Sequence, residues 1–122
     1  MKMSEFYKWN NKLTLRNPTN RAWDFHDTVK LWCMMVAYKK YGKDIKFITT
    51  EYCIDGIILP DVYIEFKDSN TMSIEVQKEF TKQYTDKIIQ RDLSMNTNTI
   101  CVNLNDVPKD FDEAFKFLET KI

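Results

Sequence analysis

Two acidic residues and one amide in the middle of the chain have the types and the spacing of a metal site. Asp61 follows Pro60 near the start of one predicted strand, and Glu75 and Gln77 lie on the next predicted strand. Residues two positions apart on a strand face the same way, so Glu75 and Gln77 share a face. Mg²⁺ prefers oxygen ligands and commonly takes one or two carboxylates with water and substrate phosphate. The sequence therefore predicts a divalent-metal site on Asp61 and Glu75.

The same strands allow a simpler interpretation. Alternating polar and apolar residues are typical of a sheet with one face on the core and the other in water. By that interpretation Asp61, Glu65 and Glu75 face solvent and bind nothing.

Hydrophobic periodicity predicts which elements position these residues. Three consecutive strands joined by short turns predict an antiparallel meander, and a helix leading to a fourth strand predicts a crossover. The fold class is therefore α/β (α+β), with a mixed central sheet flanked by helices. The predicted elements are a helix at 22–41, strands at 46–54, 57–67 and 72–78, a helix at 79–92, a strand at 98–104 and a helix at 109–120.

The first of these helices carries the only histidine of the chain, His26. Asn20 is the expected N-cap of this helix, and Gly42 is its expected stop. His26 lies about one turn from Ala22 and Val29, which is typical of the edge of a core. Its alternative role is to position a metal or a phosphate.

Composition predicts one domain over residues 1–122, with 43% hydrophobic residues to form a single core. No apolar run approaches the roughly 20 residues of a membrane span, and the first residues lack the apolar core of a signal peptide. The three cysteines lack Cys-x-x-Cys spacing, so we expect reduced thiols in a cytoplasmic protein. Neither a phosphate loop nor a nucleophile–base pair is present to indicate a small-molecule enzyme.

The charge is unevenly distributed although the net charge is zero. Residues 1–46 contain ten Lys and Arg against four Asp and Glu, whereas residues 47–97 contain five against nine. The segment 1–21 also mixes its basic residues with aromatic ones, which could grip a nucleic-acid strand by phosphate contact and stacking. An arm that packs its aromatic residues on the domain, with an ordinary solvated surface around it, is the alternative.

The element order α-β-β-β-α-β, with Pro60-Asp61 on its second strand and Glu75-Val76-Gln77 on its third, resembles the PD-(D/E)xK nuclease superfamily. It is also similar to replication-relaxation proteins of plasmids and mobile elements, with His26 in the first helix and Lys87 in the helix after the motif. The resemblance covers about residues 22–104 and leaves out the C-terminal helix within 105–122. It implies a restriction-endonuclease-like core.

The resemblance also implies the roles of individual residues. Asp61, Glu75 and the backbone carbonyl of Val76 would bind Mg²⁺ or Mn²⁺, and Asp61, Glu75, Gln77 and Lys87 would be catalytic. The chain departs from the family pattern because Gln77 replaces the motif lysine. Lys78 is adjacent but alternation turns it to the opposite face, so the helix residues Lys87 and, second, Lys82 are the candidates for the displaced lysine.

Two functions follow from this comparison. The first is a small metal-dependent DNA endonuclease or nickase of a virus or mobile element, acting in the cytoplasm of its host. The second is an inactive protein of the same fold that binds nucleic acid or a protein partner, as a regulator or an inhibitor of host defence. Small nucleases of this fold often pair, so we also expect a homodimer. We do not expect the protein to bind a membrane.

Overall fold

The computed structural model describes residues 13–14, 24–50 and 60–122. Its longer elements agree in kind and order with the predicted ones. A two-residue strand near the N-terminus and two short 3₁₀ helices, Gly42–Asp44 and Leu104–Asp106, are additional. The strands are β1 (Leu13–Thr14), β2 (Ile45–Thr50), β3 (Val62–Phe66), β4 (Thr71–Gln77) and β5 (Thr97–Asn103), and the helices are α1 (Phe25–Tyr41), α2 (Lys82–Ser94) and α3 (Phe111–Lys121).

The five strands form one mixed sheet in the order β1-β2-β3-β4-β5. Strands β2, β3 and β4 are an antiparallel meander, whereas β1 runs parallel to β2 and β5 runs parallel to β4. A parallel neighbour requires a crossover connection, which α2 provides between β4 and β5. The predicted mixed α+β class, the meander and the crossover are therefore confirmed.

Helices cover both faces of the sheet. On one face, α1 and α3 pack over the apolar side chains of the meander, and Ile64, Ile74 and Val76 are fully buried there. Successive residues of a strand point to opposite faces, so Glu75 lies on the other face. Helix α2 covers that second face, because its Arg91 contacts Glu75 directly.

The prediction of Asn20 as N-cap of the first helix was wrong, because the helix begins at Phe25 with Asp24 as its cap. Asp24 accepts a hydrogen bond from the Asp27 backbone N–H, and the Asp27 carboxylate accepts one from the Asp24 backbone N–H. This reciprocal pair satisfies two backbone donors that a helix start otherwise leaves without partners. The predicted end is confirmed, since α1 stops at Tyr41.

Several predicted segments lie partly or wholly outside the described residues. These are the basic and aromatic segment 1–21 apart from residues 13–14, the end of the strand predicted at 46–54 and the start of the strand predicted at 57–67. Helix α2 begins three residues later than predicted because the Thr81 hydroxyl caps it by accepting a hydrogen bond from the Tyr84 N–H.

Within the described ranges, no helix is long and apolar enough to cross a membrane.

Candidate metal and catalytic site

Asp61 lies directly before β3 and is 6% exposed. The register pairs Val62 with Ile74, so Val76 extends past the point where β3 begins. One carboxylate oxygen of Asp61 accepts a hydrogen bond from the Val76 N–H at 2.8 Å. A buried backbone donor needs a partner, and Asp61 supplies it where the neighbouring strand does not. The carboxylate is thereby fixed against β4.

Glu75 is 2% exposed and lies under α2. The Arg91 guanidinium donates to its carboxylate at 2.7 Å. The interpretation of Asp61 and Glu75 as solvent-facing residues was therefore wrong, because α2 covers the face that alternation alone would leave in water. Glu65 differs, since it is only partly buried and forms an ion pair with the exposed Lys46 at 3.5 Å.

The two buried carboxyl groups interact electrostatically. Burial, and next the charge of Asp61, raise the pKa of Glu75 to about 8, although Arg91 acts in the opposite direction. Burial followed by the charges of Glu75 and Asp61 also raises the pKa of Tyr84 to about 12. Two carboxylates that disfavour each other's charge in a desolvated place are a favourable environment for a cation.

Gln77 and Tyr84 form the next layer of the site. Gln77 is half-buried at the end of β4, and its side-chain amide donates to the Tyr84 hydroxyl at 3.3 Å. Gln77 thus lies on the predicted face with Glu75 and connects β4 to α2. It brings hydrogen-bonding groups but no charge to this position.

His26 reaches the same place from the first turn of α1. Its Nε2 atom lies 2.7 Å from the Val76 carbonyl oxygen and 3.6 Å from the Asp61 carboxylate. The hydrogen bond to Asp61, opposed by burial, raises the pKa of His26. The ring therefore contacts both Val76 and Asp61 from the edge of the core, and its role in positioning a metal or a phosphate stays a prediction.

Lys87 and Arg91 are neighbours four residues apart on α2, but they differ in burial. Lys87 is exposed, and the inward side of the helix carries Tyr84, Ile88 and Arg91. The catalytic role of Lys87 stays a prediction. The cation of α2 that contacts Glu75 is Arg91, whose role the sequence reasoning missed although its spacing of seven residues from Tyr84 placed it on the same stripe.

Arg91 belongs to a buried polar network. Its Nε atom donates to the Asp92 carboxylate at 2.8 Å, and the Thr99 hydroxyl of β5 donates to the same carboxylate. Asp92 is 1% exposed. The network therefore anchors the guanidinium between α2 and β5, and through it holds the Glu75 side chain in one orientation.

The oxygen donors in this place suit a hard divalent cation. Asp61, Glu75 and the Val76 carbonyl come from adjacent positions on β4 and the start of β3, and carboxylate and carbonyl oxygens are the ligands that Mg²⁺ and Mn²⁺ prefer. A second acidic group, Asp24, His26 and Asp27, also clusters closely. Its two carboxylates already serve the N-terminus of α1, which accounts for their proximity.

Comparison of the chain with protein-family models, with curated proteins and with solved structures found no match.

The raised pKa of Glu75 predicts how stability depends on pH. The folded protein retains a proton on Glu75 that the unfolded chain releases near 4.5, so stability falls as pH rises from 4.5 through about 8. Urea unfolding from roughly pH 5 to pH 9 should show a steeper loss in wild type than in Glu75→Gln. His26 contributes a loss of the same sign to both proteins and does not generate the difference. Parallel curves would contradict the raised pKa.

Proposed function

We propose that the protein is a small Mg²⁺- or Mn²⁺-dependent endonuclease or nickase that hydrolyses phosphodiester bonds in DNA. The observation that carries the proposal is the pair of buried carboxyl groups, Asp61 and Glu75, beside the carbonyl oxygen of Val76. Burying two acids together costs stability unless something compensates them, and a divalent cation would do so. The element order α-β-β-β-α-β around this pair supports a restriction-endonuclease-like core.

Each residue has a role that follows from its contacts. Asp61, Glu75 and the Val76 carbonyl would hold the metal, which would supply Lewis-acid activation of water and charge neutralisation at the phosphate. Asp61 is fixed for this task by the Val76 N–H, and Glu75 is fixed by Arg91. These two hydrogen bonds orient the oxygens before substrate arrives, which avoids reorganisation during the reaction.

The remaining polar groups act on water and phosphate. Gln77 and Tyr84 are hydrogen-bonded to each other and can orient a water molecule at the edge of the carboxylate pair. Arg91 supplies the positive charge that contacts Glu75, in the region where Gln77 brings none. We propose Lys87, which is exposed on the same helix, as the second cation. It would contact the phosphate from the solvent side.

A second function has its own supporting observation. Helix α2 exposes two apolar side chains one turn apart, Ile89 and Leu93, with Leu93 72% exposed. Adjacent exposed apolar residues can form a contact with a protein. An inactive protein of the same fold, which binds nucleic acid or a protein partner as a regulator or a host-defence inhibitor, is therefore the alternative. The homodimer and the cytoplasmic location stay predictions.

A cleavage assay separates the two functions. Labelled duplex, single-stranded and branched DNA should each be incubated with the protein in Mg²⁺, in Mn²⁺ and in EDTA. We expect cleavage of at least one substrate with a divalent metal and none in EDTA. Absence of cleavage across all substrates with both metals would contradict the nuclease proposal, and binding without cleavage would favour the inactive alternative.

A further inference from the structure

A cleft of about 500 Å³ opens beside the carboxylate pair. Its volume lies within the range of about 300–1,000 Å³ that is usual for small-molecule sites. Two of its lining residues, His26 and Gln77, also contact the carboxylate site or lie on its face, so the cleft borders the site. The lining residues are His26, Gln77, Lys78, Glu79, Leu104 and Asn105.

The sheet topology creates this cleft. Strands β4 and β5 are parallel, and their last paired residues are Gln77 and Asn103. The chain therefore leaves both strands at the same end of the sheet, and Lys78 and Asn105 lie in the two connections that follow. The carboxyl ends of parallel strands are where open sheets of this kind commonly bind ligands.

Hydrogen bonds hold the two walls of the cleft together. The Asn105 side-chain amide donates to the Lys78 carbonyl oxygen at 3.1 Å. The Asn103 side chain in turn accepts from the Asn105 backbone N–H at 2.9 Å. The cleft is therefore preformed, and binding a ligand would require little further ordering of its loops.

The lining offers the groups that a nucleotide requires. Lys78 is exposed and follows the last residue of β4. The alternation of side chains along the strand therefore no longer turns it away from Gln77. Its ammonium is a phosphate-binding point charge. Asn105 and Glu79 provide polar groups for sugar or base, and the Asn105 amide has a second N–H beyond the one already bonded. Leu104 adds an apolar surface.

We propose that this cleft binds one nucleotide of the DNA strand, next to the bond that is cut, with Lys78 contacting a phosphate of that nucleotide. The proposal rests on the nuclease function and specifies where its substrate lies. Because His26 and Gln77 border both places, a nucleotide in the cleft carries its phosphate to the edge of the carboxylate pair. Lys78 is thus a substrate-binding residue.

A binding experiment without metal tests the cleft separately from cleavage. Each of the four deoxynucleoside 5′-monophosphates is titrated into the ¹⁵N-labelled full chain, followed by amide chemical shifts. We expect shifts at Lys78, Glu79 and Asn105, and affinity about tenfold weaker in Lys78→Ala, the scale of one charge-assisted hydrogen bond. Lys67→Ala, near the opposite end of β4, is the matched control and should bind as wild type does.

Titrations with other ligands identify which chemical groups the cleft recognises. Unphosphorylated deoxynucleosides should bind much more weakly, and inorganic phosphate should bind more weakly than the monophosphates. Equal binding of inorganic phosphate and the nucleotides, or shifts that avoid the cleft, would overturn the proposal. In DNA cleavage, Lys78→Ala should raise KM and leave kcat nearly unchanged. If nucleotides shift the cleft amides but the protein cuts no DNA, nucleotide binding in the cleft is supported and only the nuclease function is overturned. If the protein cuts DNA but nucleotides do not shift the cleft amides, the nuclease function is supported and only the cleft proposal is overturned.

Discussion

Asp61→Asn and Glu75→Gln should each reduce metal-dependent DNA cleavage by at least about 100-fold, the scale of losing one group that stabilises a transition state. Both substitutions remove a carboxyl group that could ligate the metal and keep an oxygen that can accept a hydrogen bond. The new amide oxygen at position 61 can still accept from the Val76 N–H, and the one at position 75 can still accept from Arg91. The fold should therefore survive, and the loss should be specific to the metal and its water. Initial rates on the most rapidly cut DNA substrate measure the effect.

Glu65→Gln is the matched control for these two variants. Glu65 also lies on the meander and is also acidic, but it pairs with Lys46 at the surface. It should retain wild-type cleavage, since it lies outside the carboxylate site. If Asp61→Asn and Glu75→Gln cut DNA as well as Glu65→Gln does, the pair does not hold the catalytic metal.

Arg91→Ala should be the most destabilising of the substitutions proposed, at about 3–5 kcal/mol, because it leaves buried acidic groups without their partner. Arg91 contacts both Glu75 and Asp92, which are 2% and 1% exposed. Removing the guanidinium takes a hydrogen-bond donor from two carboxyl groups in the interior. The free energy of unfolding from urea titration at neutral pH measures the loss.

Two further variants locate the origin of this loss. Lys87→Ala changes an exposed cation on the same helix and should alter stability by less than about 0.5 kcal/mol. Arg91→Lys keeps the charge but not the fork of donors, so it should recover only part of the stability. A loss in Arg91→Ala no larger than that in Lys87→Ala would show that the buried network contributes nothing to folding.

The architecture around the site could be predicted from the sequence because the patterns that indicate it lie within short segments of the chain. Alternation at Val62–Phe66 and Thr71–Gln77 indicated the correct faces, with Ile74 and Val76 in the core and Glu75 opposite them. The change from a strand period to a helical period after β4 indicated the crossover. The Pro60-Asp61 pair and the Glu75-Val76-Gln77 run could therefore be placed on neighbouring strands from the sequence alone.

Contacts between distant segments were not accessible in the same way. Arg91 lies seven residues after Tyr84 and therefore on the same side of the helix, yet no local signal indicates that its guanidinium contacts Glu75 rather than solvent. The contact of His26 with Val76 joins residues 50 positions apart and depends on how α1 packs on the sheet. The burial of Glu75 depends on α2 covering the second face, which alternation cannot reveal.

Anomalous diffraction from crystals soaked in Mn²⁺ would locate a metal bound at Asp61 and Glu75 without requiring a cleavable substrate. We expect a peak within bonding distance of Asp61, Glu75 and the Val76 carbonyl oxygen, and its loss in Asp61→Asn crystals. The absence of a peak at this pair, or a peak only at the Asp24 and Asp27 carboxylates, would contradict the proposed metal site.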